Sequence, residues 1–510
     1  MHKPHLLRSC KQTCTLLAIA AALVAQQPQS ALKHHYDEAY RLQSEGKIPA
    51  ADAEHAEFLS LALHQLANGH ANAGDYAQAA PLYDEALALD LDDLALRKDY
   101  AEAAKDAQDI QKAQALLEHA FTAKSATFPP SVQAEAHRVL GDVQLTQSLN
   151  DAALANYKAA YSLDPGYESL YALAAATLTI QGDESAAPLF TQLIAHHGDT
   201  AATHMAIARA YGQAAMPARA EAEYRKALAK DPSTPGAHFG IGASLMNATS
   251  PNPAKAQAEF HKELALHSND AMSWFELGRI AAGKEESAKE AETDLKRAAE
   301  LSPRNPDIWI ELGKLYIEQQ NPQAAEPAFR QAIAVTIDPA RNRYAIERAH
   351  FHLGKILFAA GKKDEAEKEL AISEEMLDRR RKQEEDGLHG RQMVNTTLRK
   401  THEATPAEAQ QLNEFERNLA PLLAGSYNNL GVHAAMASNF KTAEADFAEA
   451  AKWQPALHGV DSNWGRAAYE AHDYQQAVAP LERSIEEHPE DIELRSMLTE
   501  CKQRAVDRTN

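Results

Sequence analysis

Between Asp307 and Ile333 the chain reads DIWIELGKLYIEQQNPQAAEPAFRQAI. Trp309, Leu312, Gly313 and Tyr316 fall at i, i+3, i+4 and i+7, which places them on one face of a helix. Asn321-Pro322 breaks that helix. Ala325, Phe329, Ala332 and Ile333 then return at the same spacings and mark a second helix. The unit is helix–turn–helix in about 34 residues. Gly313 has a physical reason in this scheme, because a residue without Cβ lets the second helix approach the first closely.

The small residue of that unit recurs as Ala67, Ala101, Gly141, Ala175, Ala208, Gly242, Gly278, Gly313, Gly354, Gly431 and Gly465. Successive gaps are 34, 40, 34, 33, 34, 36, 35, 41, 77 and 34. Second helices such as ARAEAEYRKALAKDP (Ala218–Pro232) and HDYQQAVAPLERSIEEHP (His472–Pro489) travel with it and end in proline, as a helix that must stop should. The chain resembles a tetratricopeptide repeat array, whose signature reads W-x2-L-G-x2-Y, then A-x3-F, A and P. Residues 306–339 match all of it but the last, where Ile337 stands for proline. The resemblance covers about residues 60 to 491, roughly eleven repeats, and implies an all-α solenoid of stacked antiparallel helix pairs.

The expected organisation follows. Residues 1–25 read as a signal peptide and 26–59 as an N-terminal helical cap. The array occupies 60–380 (about nine repeats) and 424–491 (two more). The gap of 77 leaves a charged insert at 381–423, opening as a prolonged second helix (RRRKQEED) and turning helical again over Ala407–Gly425. Residues 492–510 read as a C-terminal capping helix.

Lys3, Arg8 and Lys11 precede the apolar run TLLAIAAALVA (Thr15–Ala25), with cleavage expected near Ala25–Gln26. That run is shorter than the roughly 20 residues of a spanning helix. Leu23 is not ideal before a cleavage site, so an uncleaved membrane anchor is the alternative to a periplasmic or secreted protein of a bacterial-type envelope. Cleavage would remove Cys10 and Cys14, leaving Cys501 alone at what reads as the exposed end, with no disulfide to staple the chain.

The formal net charge is −21, which argues against nucleic acid or anionic lipid as the main partner. Of the 23 histidines, none past the signal segment forms an i, i+3 or i, i+4 pair, so they read as helix-surface residues and not as metal ligands. FGIGAS (Phe239–Ser244) carries only G-x-G at the small-residue position and reads as packing. No catalytic constellation, cofactor loop or metal motif stands out, and the expectation is a non-enzyme without cofactor.

The resemblance further implies that first helices line a concave groove. At one groove position stand Met205, Phe239, Phe275, Ile310 and Phe351, and at another Arg209, Ala243, Arg279, Lys314 and Lys355. An apolar stripe beside a basic one would suit a protein or peptide partner that is acidic with hydrophobic anchors. Glu276–Arg279 and Glu311–Lys314 are i, i+3 pairs that could satisfy themselves, which makes Arg209 and Lys355 the stronger candidates. Asn428, Asn429 and Asn463 resemble the asparagines with which some arrays grip peptide backbones. The expected function is a scaffold binding its partner in that groove, in the envelope. The alternatives are an accessory subunit or regulator of an envelope enzyme complex, or a self-assembling structural protein.

Overall fold

The computed structural model describes residues 31–507 except 119, 122–124, 337–342 and 386–405. The signal segment 1–25 and the middle of the insert lie outside the described residues. Every regular element among the described residues is helical, and no helix there is long and apolar enough to cross a membrane. The chain divides into two compact units, Asp92–His402 and Met1–Leu91 with Glu403–Asn510.

In the first unit helix pairs follow one another along the chain. Leu94–Asp106 pairs with Ile110–Glu118, Pro130–Thr146 with Asn150–Leu163, Tyr167–Gln181 with Asp183–His197, and Ala201–Gln213 with Pro217–Lys230. Ala237–Met246 pairs with Pro253–Leu266, Ala271–Ala282 with Ala288–Leu301, Pro306–Glu318 with Pro322–Ala334, and Arg343–Ala359 with Lys363–Glu385. The second unit holds Ile48–Asn72 with Tyr76–Leu89, Pro406–Met436 with Phe440–Trp453, and Val460–Glu470 with Tyr474–Glu487. Helix 31–44 precedes these and Ile492–Asp507 follows. Among the described residues there are thus eleven pairs, one for each small residue in the sequence pattern.

The pair 306–334 shows how the unit is made. Pro306 opens the first helix, and Asn305 Oδ1 accepts the Asp307 N–H at 3.0 Å, satisfying an otherwise orphaned donor. Ile308, Ile310, Leu312 and Leu315 are buried. The helix stops because Gln320 turns left-handed (φ 56) and the Asn321 N–H donates back to the Tyr316 carbonyl at 2.8 Å. Asn321 then caps the second helix, its Oδ1 accepting the Ala324 N–H at 3.1 Å. The same left-handed turn recurs at Gln108, Ser148, Ala215, Ser438 and His472, all non-glycine, as well as at Gly74 and Gly361.

Gly313 does what its position suggested: a Cβ there would lie 2.6 Å from Phe329 Cζ on the second helix. Gly431 stands in the same relation to Phe447, at 2.8 Å. Between repeats the apolar faces merge. Phe329 packs with Ile346, Leu353 and Leu357 of the following pair, a shared core that one pair could not build alone.

In the second unit two segments far apart in sequence meet. Helix Ile48–Asn72 packs on helix Pro406–Met436. The buried His433 Nδ1 lies 2.5 Å from Asp52 Oδ1, and Glu85 receives Tyr427 OH at 2.8 Å, Lys452 Nζ at 2.7 Å and Trp453 Nε1 at 3.2 Å. His55 is fully buried beside this contact. Burial, with the His433 charge adding, pushes its imidazole down to about 4. Burial likewise pushes the Asp446 carboxyl up to about 7, with Asp52 and Glu449 adding like charge.

Two boundaries and the burial of one cysteine differ from the sequence expectation. The 25-residue helix Ile48–Asn72 runs through the border at 59, and the 31-residue helix Pro406–Met436 runs through the border at 423. Each is an uninterrupted helical pattern whose inner half belongs to a repeat. Cys501 is buried, not exposed, against Tyr474, Leu481 and Leu494, and burial, with Glu500 adding, pushes its thiol up to about 11.

Candidate partner-binding site

The first helices of unit Asp92–His402 present one row of residues between their buried faces. The structure corrects the apolar half of the expected stripe. Met205 is 6 % exposed and packs with Ala227 and Ala237. Phe275 (7 %) and Ile310 (3 %) belong to cores shared with neighbouring helices. Phe239 is half-buried against Phe260. These side chains fill the seam between successive first helices, where burying an apolar group is worth most. Phe351 differs, with 43 % of its surface open.

The basic half divides as the local spacing suggested. Arg279 Nη1 lies 3.0 Å from Glu276 Oε1 and Lys314 Nζ 2.8 Å from Glu311 Oε2, so each is satisfied within its own helix. Burial holds the Glu276 carboxyl above its usual range, with Arg279 opposing and Glu311 adding. Arg209 and Lys355 are exposed, and neither has an ion pair among the described residues. Lys355 Nζ stands 5.3 Å from the centre of the Phe351 ring, within cation–π range.

Two residues of this face escaped the sequence reading. Arg348 is exposed and without an ion pair among the described residues, one turn before Phe351 and two before Lys355 on the same helix. His352 stacks on Phe329 (centroids 5.3 Å, 14°). Burial lowers its pKa, and the cations of Lys355, Lys314 and Arg348 lower it further, so it is neutral among three positive charges. The i, i+3, i+7 spacing of Arg348, Phe351 and Lys355 was the available signal.

In the other unit Asn428, Asn429 and Asn463 are half-buried. Asn428 Oδ1 and Asn429 Nδ2 are buried atoms without a hydrogen-bond partner among the described residues. One accepts and the other donates, the pair that a peptide N–H and C=O would satisfy.

Several histidines are not the surface residues expected, although His34, His196, His261 and His488 are exposed. His204 Nδ1 lies 2.6 Å from Glu223 and Nε2 2.8 Å from Asp199. His238 lies 2.6 Å from Glu259, and His350 2.5 Å from Glu369. Each joins the first helix of a pair to the second. The signal was a histidine four residues before the small residue with a glutamate on the partner helix, nineteen residues on in two of the three cases.

Models of the tetratricopeptide repeat family match residues 62–96, 99–168, 251–306 and 284–341. This is a tetratricopeptide repeat protein. Its repeats are the family's, and with them comes the family's broad role as a protein-binding scaffold. No curated protein matches the chain. Among solved structures, that of MamA is 22 % identical, covers 34 % of this chain and 97 % of its own, and has a TM-score of 0.29. A tetratricopeptide repeat protein from Parabacteroides merdae is 16 % identical, covering 50 % of this chain and 98 % of its own at a TM-score of 0.34. Yeast Tom70 is 16 % identical, covering 94 % and 96 % at a TM-score of 0.31. Scores this low carry no argument about what the chain does.

Proposed function

We propose that this tetratricopeptide repeat chain is a non-catalytic scaffold of the cell envelope that holds an acidic protein or peptide on the first-helix face of its repeats. The carrying observation is the exposed Phe351 ring between Arg348 and Lys355, two exposed cations with no carboxylate of their own. A docked segment covering Phe351 and supplying carboxylates would remove apolar surface from water and pair both charges. Covering the open part of that ring contributes on the order of 1 kcal/mol, and a cation on an aromatic face about 0.5–1 kcal/mol more. Such sums suit an extended segment with several weak anchors. Export rests on Lys3, Arg8, Lys11 and the apolar run that follows.

Selection of a displayed random-peptide library on the whole protein tests the site. Acidic sequences with an aromatic or aliphatic anchor are expected on the native bait and should vanish on the R348E/K355E variant, shown by circular dichroism to stay helical. The same consensus on both baits would move the site elsewhere. N-terminal sequencing of the protein recovered from its native envelope should begin near Gln26; an intact Met1 would refute cleavage.

A further inference from the structure

Two repeats enter their first helix in the same way, and one of them leaves the entry open. Helix Ala237–Met246 follows Gly236 (φ 77) and helix Val460–Glu470 follows Gly459 (φ 79), each glycine left-handed and neither helix capped by the side chain before it. The glycines stand six residues before Gly242 and Gly465. A Cβ on those two would lie 2.5 Å from Phe260 Cε1 and 2.6 Å from Leu481 Cδ2, so the pairs share one register on both helices.

Glu263, one turn after Phe260, is buried and closes the first of these entries. Its Oε1 accepts the Gly236 N–H at 2.8 Å, and its Oε2 accepts the His238 and Phe239 N–H groups at 3.1 and 3.2 Å. One carboxylate thus satisfies three orphaned donors and meets the positive end of the helix. In the second entry Ser484, one turn after Leu481, holds the place of Glu263 and is too short to span the same gap. The matching N–H groups of Gly459, Asp461 and Ser462 have no acceptor among the described residues. Where the carboxylate would lie there is a cavity of about 150 Å³, lined by these three residues and by Ser484, His458, His488 and Glu487. Ser484 is 2 % exposed, lines that cavity and makes no side-chain hydrogen bond among the described residues.

We infer that this cavity is a carboxylate site, which takes from a bound molecule the group that Glu263 supplies from within the earlier repeat. Backbone N–H groups at a helix N-terminus, two serine hydroxyls and the imidazoles of His458 and His488 all offer donors to an anion. Asp461 is held by Arg483, whose Nη2 lies 2.6 Å from its Oδ1. The Glu487 charge disfavours a phosphate dianion more than a single carboxylate. A cavity of this size holds a molecule about as large as benzene, which leaves room for a carboxylate on a short carbon chain. The site shares no residue with the Phe351 face and stands if that face fails.

Amide hydrogen exchange of the whole protein across 458–464, titrated with propionate or with N-acetylglutamate amide at constant ionic strength, tests the inference. With either acid at about twice its Kd, local opening should slow about threefold, while propionamide has no effect and 236–240, closed by Glu263, does not respond. Tighter protection by propionate would name a small free acid as the ligand, and tighter protection by N-acetylglutamate amide an acidic side chain of a bound partner. Ser484→Glu should slow exchange without any probe and abolish the response to both acids. Glu263→Ser should quicken exchange across 236–240 and make that segment respond to propionate. The native protein decides the site whether or not the variants fold: no protection by either acid, or equal protection by propionamide, would overturn it. Tighter protection by inorganic phosphate would overturn the carboxylate assignment.

Discussion

Replacing Gly313 by alanine sets two effects of opposite sign against each other. In a helix interior alanine is better than glycine by about 0.5–1 kcal/mol. At this site the new methyl would lie 2.6, 2.7 and 2.9 Å from Phe329 Cζ, Cε1 and Cδ1. Carbon atoms rest at about 3.5–4.0 Å, so the ring must retreat by roughly 1 Å. Phe329 is fully buried against Ile346 and Leu353 of the next pair, and it cannot retreat without moving them. Overpacking of this kind costs about 1–3 kcal/mol, so Gly313→Ala should come out destabilising by up to about 2 kcal/mol. Gly212 is the control, since it lies in a helix with nothing within 4 Å of its missing Cβ, and Gly212→Ala should stabilise by about 0.5–1 kcal/mol. A repeat array need not unfold in one step, so the assay is local: amide hydrogen exchange by mass spectrometry across 306–334 and 201–230. With about 1.4 kcal/mol per tenfold, exchange should quicken several-fold in the first variant and slow in the second. If both variants slow exchange alike, close helix approach is not what selects glycine at 313. Adding Phe329→Leu should recover part of the Gly313→Ala loss.

Other expectations follow from single observations. Ala215 holds a left-handed turn (φ 54) that costs an L-residue about 1–2 kcal/mol, so Ala215→Gly should raise the urea midpoint; an unchanged midpoint would remove the strain argument. Lys105 Nζ lies 3.0 Å from Asp142 Oδ2 with both side chains buried, and burial opposes the charge that Asp142, Asp106 and Glu102 maintain. Asp142→Ala should therefore destabilise by about 3–5 kcal/mol in a thermal melt, whereas Lys105→Met with Asp142→Leu should cost far less. The raised Asp446 carboxyl makes the folded state bind the proton more readily, so its contribution is lost as pH rises from about 4 to 7. The depressed His55 acts oppositely, its contribution being lost as pH falls from about 6.5 to 4. The two nearly cancel, so Asp446→Asn should raise the melting temperature at pH 8 and leave a steeper fall toward pH 4; parallel pH profiles for variant and native protein would refute the linkage.

The helical pairs were legible because each repeat touches mainly its neighbours, so its constraints lie within one repeat length in the chain. Trp309, Leu312, Gly313, Tyr316 and Phe329 announce a pair by spacing alone, and the eleven small residues count the pairs. The binding face was less legible. Position in the repeat said which residues sit near the first-helix surface, but the depth of the seam between adjacent helices decides whether a side chain fills it or projects. Met205, Phe275 and Ile310 fill it and Phe351 projects, although all four hold the same register. Ion pairing was easier to read where the partner is on the same helix, as for Arg279 and Lys314, than where it crosses helices, as for His204 and Glu223.

By itself the sequence determined the all-α class, the number and order of the pairs, the close glycine contacts and the pairing of Arg279 and Lys314, because these depend on interactions a few turns or one repeat apart. Only the tertiary structure decided that helix Ile48–Asn72 packs on helix Pro406–Met436, and that Asp52 meets His433 and Glu85 meets Tyr427 and Lys452. Those partners are separated by more than three hundred residues. A contact made once between distant parts of the chain leaves no periodic trace.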